Sequence, residues 1–161
     1  LMGTFSRETP NAESIHPWYI TGFTEGEGSF TYSRTPTGVG LYFAIRLTNK
    51  EKLLLESIRN FFGNIGKIYP VKALAPTTNS GKTKSSWYFR VTRVDDLLKI
   101  VDHFDRYPLI GIKKQSYLIW KKMVLVKSNF RNGKGERLNS LAQQLSEASP
   151  RNQPWDGTNS K

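Results

Sequence analysis

The chain has 161 residues, 37% hydrophobic and 23% charged, which suits one folded domain rather than a disordered segment. It holds no cysteine and only two histidines, His16 and His103, which excludes disulfides, thiolate metal sites and a histidine-rich metal cage. Lys and Arg outnumber Asp and Glu by 24 to 13, a net charge of +11 that favours a polyanion such as nucleic acid, and no apolar run approaches a membrane span.

Residues 1–15, which open LMGTFSRETPNAES, lack the apolar core of a secretory signal and are expected to be a flexible leader. WYITGFTEG (18–26) predicts a short apolar helix with small residues on one side. SFTYSRT (29–35) and GLYFAIRLTN (40–49) are rich in β-branched and aromatic residues, and TPTG between them supplies the turn of a hairpin. KEKLLLESIRNFFG (50–63) spaces Leu54, Leu55, Ile58, Phe61 and Phe62 as one helix face and closes on Gly63. NIGKIYPVKALA (64–75) and SSWYFRVTR (85–93) predict a second hairpin around the polar loop PTTNSGKTK. VDDLLKIVDHFDRYP (94–108) predicts a second amphipathic helix, with Asp95 and Asp96 near its start and Pro108 as its stop. GIKKQSYLIWKKMVLVKS (111–128) predicts a third. In the tail, 129–161, LNSLAQQLSEA could form a short helix, and the polar end is expected to be disordered. The order implies an α+β domain over 16–128. Its four-stranded antiparallel sheet is covered by helices on one face and open on the other.

Alternation along the strands sorts the two faces. Phe30, Tyr32, Leu41, Phe43, Ile45, Leu47, Ile68, Phe89 and Val91 are assigned to the core. The opposite face carries Ser29, Thr31, Ser33, Tyr42, Ala44, Arg46, Thr48, Lys67, Tyr69, Val71, Tyr88, Arg90 and Thr92, with no carboxylate among them. From 31 to 93 there are eleven Lys or Arg and only two acids, Glu51 and Glu56, both in the helical stretch. Arg, Thr and Ser on a curved sheet suit base edges and phosphates in a DNA major groove. The three tyrosines keep an RNA-stacking platform open as an alternative, and an ordinary solvated sheet face would also be polar.

ITGFTEGEGSF (20–30) puts three glycines and two glutamates into an apolar run. Gly22 and Gly26, four apart, share a helix face and let another backbone approach closely, while Gly28 ends the helix. Glu25 and Glu27 then stand at the helix C-terminus, where the helix dipole disfavours a carboxylate. A hard divalent cation shared with phosphate oxygens is one partner for such acids; solvation in a turn is the other reading.

ITGFTEGEG resembles, position by position, the LAGLIDADG signature of homing endonucleases. FAIRLTNK (43–50), FRVTRVDDLLKIVDHF (89–104) and YPLIGIKKQ (107–115) are similar to the same family, particularly its fungal organellar branch, and the resemblance covers roughly 16–128. It implies an αββαββα fold and a double-strand break in a long, pseudo-palindromic DNA target. It makes Glu27, at the eighth position, the ligand of a catalytic Mg²⁺, with the Gly26 carbonyl beside it. Mn²⁺ is expected to substitute and Ca²⁺ to bind without cleavage. Glu25, at the sixth position, is a supporting residue. Asn49 falls where the family orders a water network, and Lys113 where it places a catalytic-pocket lysine, with Lys114 as the alternative. Both acids are glutamates where the signature has aspartates, so metal geometry could differ.

One signature supplies only one of the two helices that pair in the family. A homodimer paired through Tyr19, Gly22, Phe23 and Gly26 is the expected assembly, and half of a longer two-signature chain is the alternative. The resemblance also implies an intron-encoded protein of a mitochondrion or chloroplast. A maturase that binds intron RNA, or a non-cleaving DNA-binding protein of the same fold, is the competing function.

Overall fold

The computed structural model describes residues 15–73, 84–129 and 135–149. The expected leader, the tip of the second hairpin and the polar end of the tail lie outside those residues. In chain order the elements are α1 (Pro17–Glu27), β1 (Gly28–Thr35), β2 (Gly38–Thr48), a 3₁₀ turn (Asn49–Glu51), α2 (Lys52–Phe61), β3 (Lys67–Val71), β4 (Ser86–Val91), α3 (Val94–Arg106), α4 (Lys113–Asn129) and α5 (Gly135–Ala148).

The strands form one antiparallel sheet in the order β1-β2-β4-β3. Its register confirms the alternation. Phe30, Phe43 and Val91 stand side by side in one inward row, and Ile45, Phe89 and Ile68 in the next. On the open face Ser29, Ala44, Arg90 and Lys67 form one row, and Arg46, Tyr88 and Tyr69 another. Ala44 is buried despite its outward position, because larger residues flank its methyl. Thr92, expected in the strand, falls just past the end of β4 and is exposed.

Helices cover the inward face. Phe43, Phe89, Phe104 and Trp120 are fully buried, and Phe30 meets Phe104, Tyr117 and Trp120 with ring centroids 5.1–5.3 Å apart. The Trp120 indole N–H donates to the Thr31 carbonyl at 3.1 Å, which occupies the outer edge of β1. The helix foreseen in LNSLAQQLSEA starts earlier, at Gly135, and buries Leu138, Leu141, Ala142 and Leu145 in the same core. Its Ser146 hydroxyl lies 2.6 Å from the Tyr32 hydroxyl.

Two boundaries differ from the sequence reading. Asn49 leaves β2 for the 3₁₀ turn. β3 begins only at Lys67, because Gly63, Asn64 and Gly66 take positive φ angles of 79°, 61° and 71° and make a tight corner. A Cβ at Gly66 would lie 2.6 Å from the Arg90 carbonyl oxygen, so the corner requires glycine there.

Candidate functional site

α1 runs directly into the sheet. His16 caps its start and Pro17 occupies its first turn. At its end the Gly28 N–H donates to the Thr24 carbonyl, and a Cβ on Gly28 would collide with the Thr24 methyl. Helix and strand therefore meet without a loop, which fixes the last turn of α1 against the open face. Carbonyls at a helix C-terminus attract cations. The Thr24 carbonyl receives one, the Nζ of Lys113 at 3.0 Å, from the first turn of α4. Lys114 is exposed, so the doublet is not symmetric: Lys113 is the member turned toward α1.

The two glutamates part company. Glu25 Oε1 accepts the backbone N–H groups of Ile110, at 2.7 Å, and Gly111, at 2.9 Å. Glu27 is exposed and lines a cavity of about 660 Å³. The same cavity takes in Gly26, Ser29, Thr31, Tyr42, Arg46, Tyr88 and Lys113, so eight of the expected site residues converge there, counting Glu27. Asn49 is not among its lining residues; Arg46 is the side chain from that end of β2 that reaches it. Ser33 and Thr48 also lie outside it. Lys67, Tyr69, Arg90 and Thr92 line a second concavity further along the face, with Asp96 of α3 at its rim.

Several side chains on the open face hold one another. Arg46 Nε donates to Ser86 Oγ at 2.7 Å. The Arg90 guanidinium lies 3.9 Å from the Tyr42 ring centroid, and its buried Nε has no partner among the described residues. Tyr69 stacks on Tyr88 at 5.4 Å. Burial first, then the neighbouring Tyr42 and Tyr69, raises the Tyr88 phenol above the usual tyrosine value, so it stays a neutral donor. Ser86 was not singled out from sequence, although alternation from Tyr88 and Arg90 puts it on this face. Ser116, Ser146 and Ser149 also line the cavity, and no sequence signal marks them.

Among the described residues nothing covers the outer face of α1 at its glycines. A Cβ at Gly22 or Gly26 would meet nothing within 4 Å. Tyr19 stacks on Phe23 at 5.8 Å and is 46% exposed, beside Trp18 at 51%. Ile110 and Ile112, which bracket Gly111 in the loop that Glu25 holds, are 92% and 61% exposed. Among the described residues no cluster of three His, Cys, Asp or Glu side chains could hold a metal, and no helix is long and apolar enough to cross a membrane.

Residues 20–124 match the family model for the LAGLIDADG endonuclease. The "Probable intron-encoded endonuclease 2" of Neurospora crassa is 34% identical over 118 residues, covering 68% of this chain and 24% of that protein. The LAGLIDADG homing endonuclease I-GzeII, solved in complex with its DNA target, is similar at a TM-score of 0.63 and 31% identity over 84% of this chain and 44% of that one. I-SmaMI, bound to uncleaved DNA target in the presence of calcium ions, is similar at a TM-score of 0.62 and 27% identity over 86% of this chain and 50% of that one. This chain thus spans about a quarter of the Neurospora relative and half or less of the two solved chains.

Proposed function

The chain belongs to the LAGLIDADG endonuclease family, and from that premise we propose that it is a unit of a homing endonuclease that makes a metal-dependent double-strand break in a long, pseudo-palindromic DNA target. The observation that carries this reading is the meeting of Glu27 and Lys113 in one cavity that opens onto a basic sheet face. Complexes of I-GzeII and I-SmaMI with DNA targets support the choice of double-stranded DNA. The Neurospora relative's name supports an intron-encoded origin.

Glu27 offers one exposed carboxylate, with the Gly26 carbonyl next to it. That donor set suits Mg²⁺, which takes one or two carboxylates and fills its shell with phosphate oxygens and water. When bound, the metal would supply an activated water and offset charge on the attacked phosphate. Lys113, held at the Thr24 carbonyl, is placed to stabilise negative charge growing on the phosphate oxygens. Ser29, Thr31 and Arg46 hold the backbone at the cavity mouth; Tyr42, Tyr69, Tyr88, Arg90 and Lys67 extend the contact along the groove. Asn49, outside the cavity, is left with a water-ordering role at its margin.

One carboxylate per unit makes half of a two-strand site, so a second LAGLIDADG unit is required. We assign it to a second copy of this chain, seated on Tyr19, Gly22, Phe23 and Gly26, which would read a two-fold symmetric target. The greater length of the relatives favours a second reading, in which the partner unit belongs to the same longer chain. Light scattering on the free chain and on its DNA complex separates the two. A dimer mass supports the first, and a monomer mass on DNA rejects it.

For cleavage, targets are selected from randomised duplex DNA in Ca²⁺ and then offered in Mg²⁺ or Mn²⁺. Double-strand cutting in Mg²⁺, lost in Glu27→Gln while binding persists, is the expected result. Binding with no cutting in either Mg²⁺ or Mn²⁺ would reject the reading in favour of a non-cleaving binder or an RNA maturase.

A further inference from the structure

Glu25 does not line the cavity that holds Glu27, yet it is tied to the loop that leads into Lys113, which does. Its carboxylate reaches the loop between α3 and α4, where a single oxygen, Oε1, accepts both the Ile110 and Gly111 N–H groups at 2.7 and 2.9 Å. Two residues later Lys113 opens α4 and returns its Nζ to the Thr24 carbonyl at 3.0 Å. Three hydrogen bonds running both ways thus join the last turn of α1 to chain more than eighty residues away, two of them to the loop before α4 and one to its first residue. A carboxylate is disfavoured at the C-terminus of α1 and favoured before the N-terminus of α4, so the link suits both helix dipoles. Gly111 has a matching constraint. A Cβ there would lie 2.5 Å from Glu25 Oε2, so a methyl group would push the carboxylate off its two donors.

We propose that Glu25 is a positioning residue: by gripping the Ile110–Gly111 backbone it fixes the start of α4, and so holds the Lys113 ammonium at the end of α1 beside Glu27. This rests on the reading of Lys113 as the charge-stabilising group of the cleavage site. The sixth and eighth positions of the signature then divide the work. Glu27 faces the phosphate, and Glu25 places the lysine that assists it. The grip depends on one acceptor oxygen and not on the carboxylate's charge, so an amide of the same length can replace it.

The test compares Glu25→Gln, Glu25→Ala and Gly111→Ala in the full chain, each with and without Lys113→Ala. Single-turnover cleavage of the selected target is measured in Mg²⁺ and target affinity in Ca²⁺. Glu25→Ala and Gly111→Ala are each expected to slow cleavage about 10- to 100-fold, as displacement of a catalytic group by about an ångström does, with affinity unchanged within about threefold. Glu25→Gln should stay close to the parent. In the Lys113→Ala background neither Glu25→Ala nor Gly111→Ala should slow cleavage further, since the group they misplace is gone. Amide hydrogen exchange gives a readout independent of cleavage: Ile110 and Gly111 should lose protection in Glu25→Ala and keep it in Glu25→Gln. Equal slowing by Glu25→Ala with Lys113 present or absent, or unchanged Ile110 and Gly111 exchange in Glu25→Ala, overturns the proposal. Parental cleavage by Lys113→Ala alone overturns the role of Lys113 and the proposal with it, and that outcome is recognised without any Glu25 variant.

Discussion

Arg46 and Arg90 sit on neighbouring strands, diagonal to each other on the same face, yet their surroundings differ. Arg46 spends its Nε on Ser86, which fixes the side chain at the cavity mouth. The Arg90 guanidinium lies over the Tyr42 ring, and its buried Nε has no partner among the described residues. A guanidinium clamped on a ring keeps its planar fork in one orientation, which suits bidentate recognition of guanine. Arg90→Ala is therefore expected to cost about 1–3 kcal/mol on the preferred target and to relax preference at one base position. Arg90→Lys should not restore it, because an ammonium lacks the fork and the flat stacking surface. Binding measured across a panel of single-base variants checks this. A uniform loss over all sequences would make Arg90 a phosphate contact. The pairing of residue and role was only half legible in the sequence. Period-two alternation placed both arginines on the open face, but Ser86 and Tyr42 as their holders follow from register, which no local pattern prints. Glu25 and Glu27 show the same limit: two residues apart in the chain, they differ because Glu25's partners lie 85 and 86 residues away.

Among the elements, α1 is the one whose placement matters most, and it is pinned to α3 by a buried polar link. The Thr21 hydroxyl donates to the Tyr107 carbonyl at 2.8 Å, so in its 3.2 Å contact with His103 the histidine Nε2 is the donor. Phe61, Phe62, Phe104 and Tyr107 surround that ring. Burial lowers its pKa from 6.5 to about 4, against a small opposing pull from Asp102. Since the folded value lies below the unfolded one, the unfolded chain binds the proton first. Stability is unaffected by this group above pH 6.5 and falls as the pH drops from there toward 4. Allowing for partial solvation of the ring, the loss is about 1–2 kcal/mol. Urea midpoints taken between pH 7.5 and 4.5 should fall more steeply for the parent than for His103→Gln; parallel slopes would place the acid sensitivity elsewhere. Element existence was readable throughout, since amphipathic spacing and strand alternation are local. The shortfalls came from tertiary context. Left-handed residues at 63, 64 and 66 delay β3. α5 is settled by Leu138, Leu141, Ala142 and Leu145 joining the core of the rest of the domain, which its own sequence does not reveal.

At the scale of the molecule, the outward surface of α1 sets the argument about assembly. Gly22 and Gly26 suit a close backbone approach, and among the described residues nothing makes one. Glycine in a helix interior costs about 1 kcal/mol relative to alanine, so a bare glycine facing open space is a cost without a local return. Exposed Trp18, Tyr19, Ile110 and Ile112 around it add apolar surface that a second unit would cover. On the proposed seam the glycines would serve partnership at the expense of the single unit's stability. Gly22→Ala makes the two effects separable. At protein concentrations where the chain is unpaired, it should raise unfolding stability by about 0.4–1 kcal/mol, because it removes backbone freedom from the unfolded chain without a clash. Gly22→Leu, which adds bulk to the same spot, should remove the paired species from light scattering and abolish double-strand cutting while nicking and unit folding persist. If Gly22→Leu pairs and cuts like the parent, the seam lies on another surface and the glycine must be kept for a different reason.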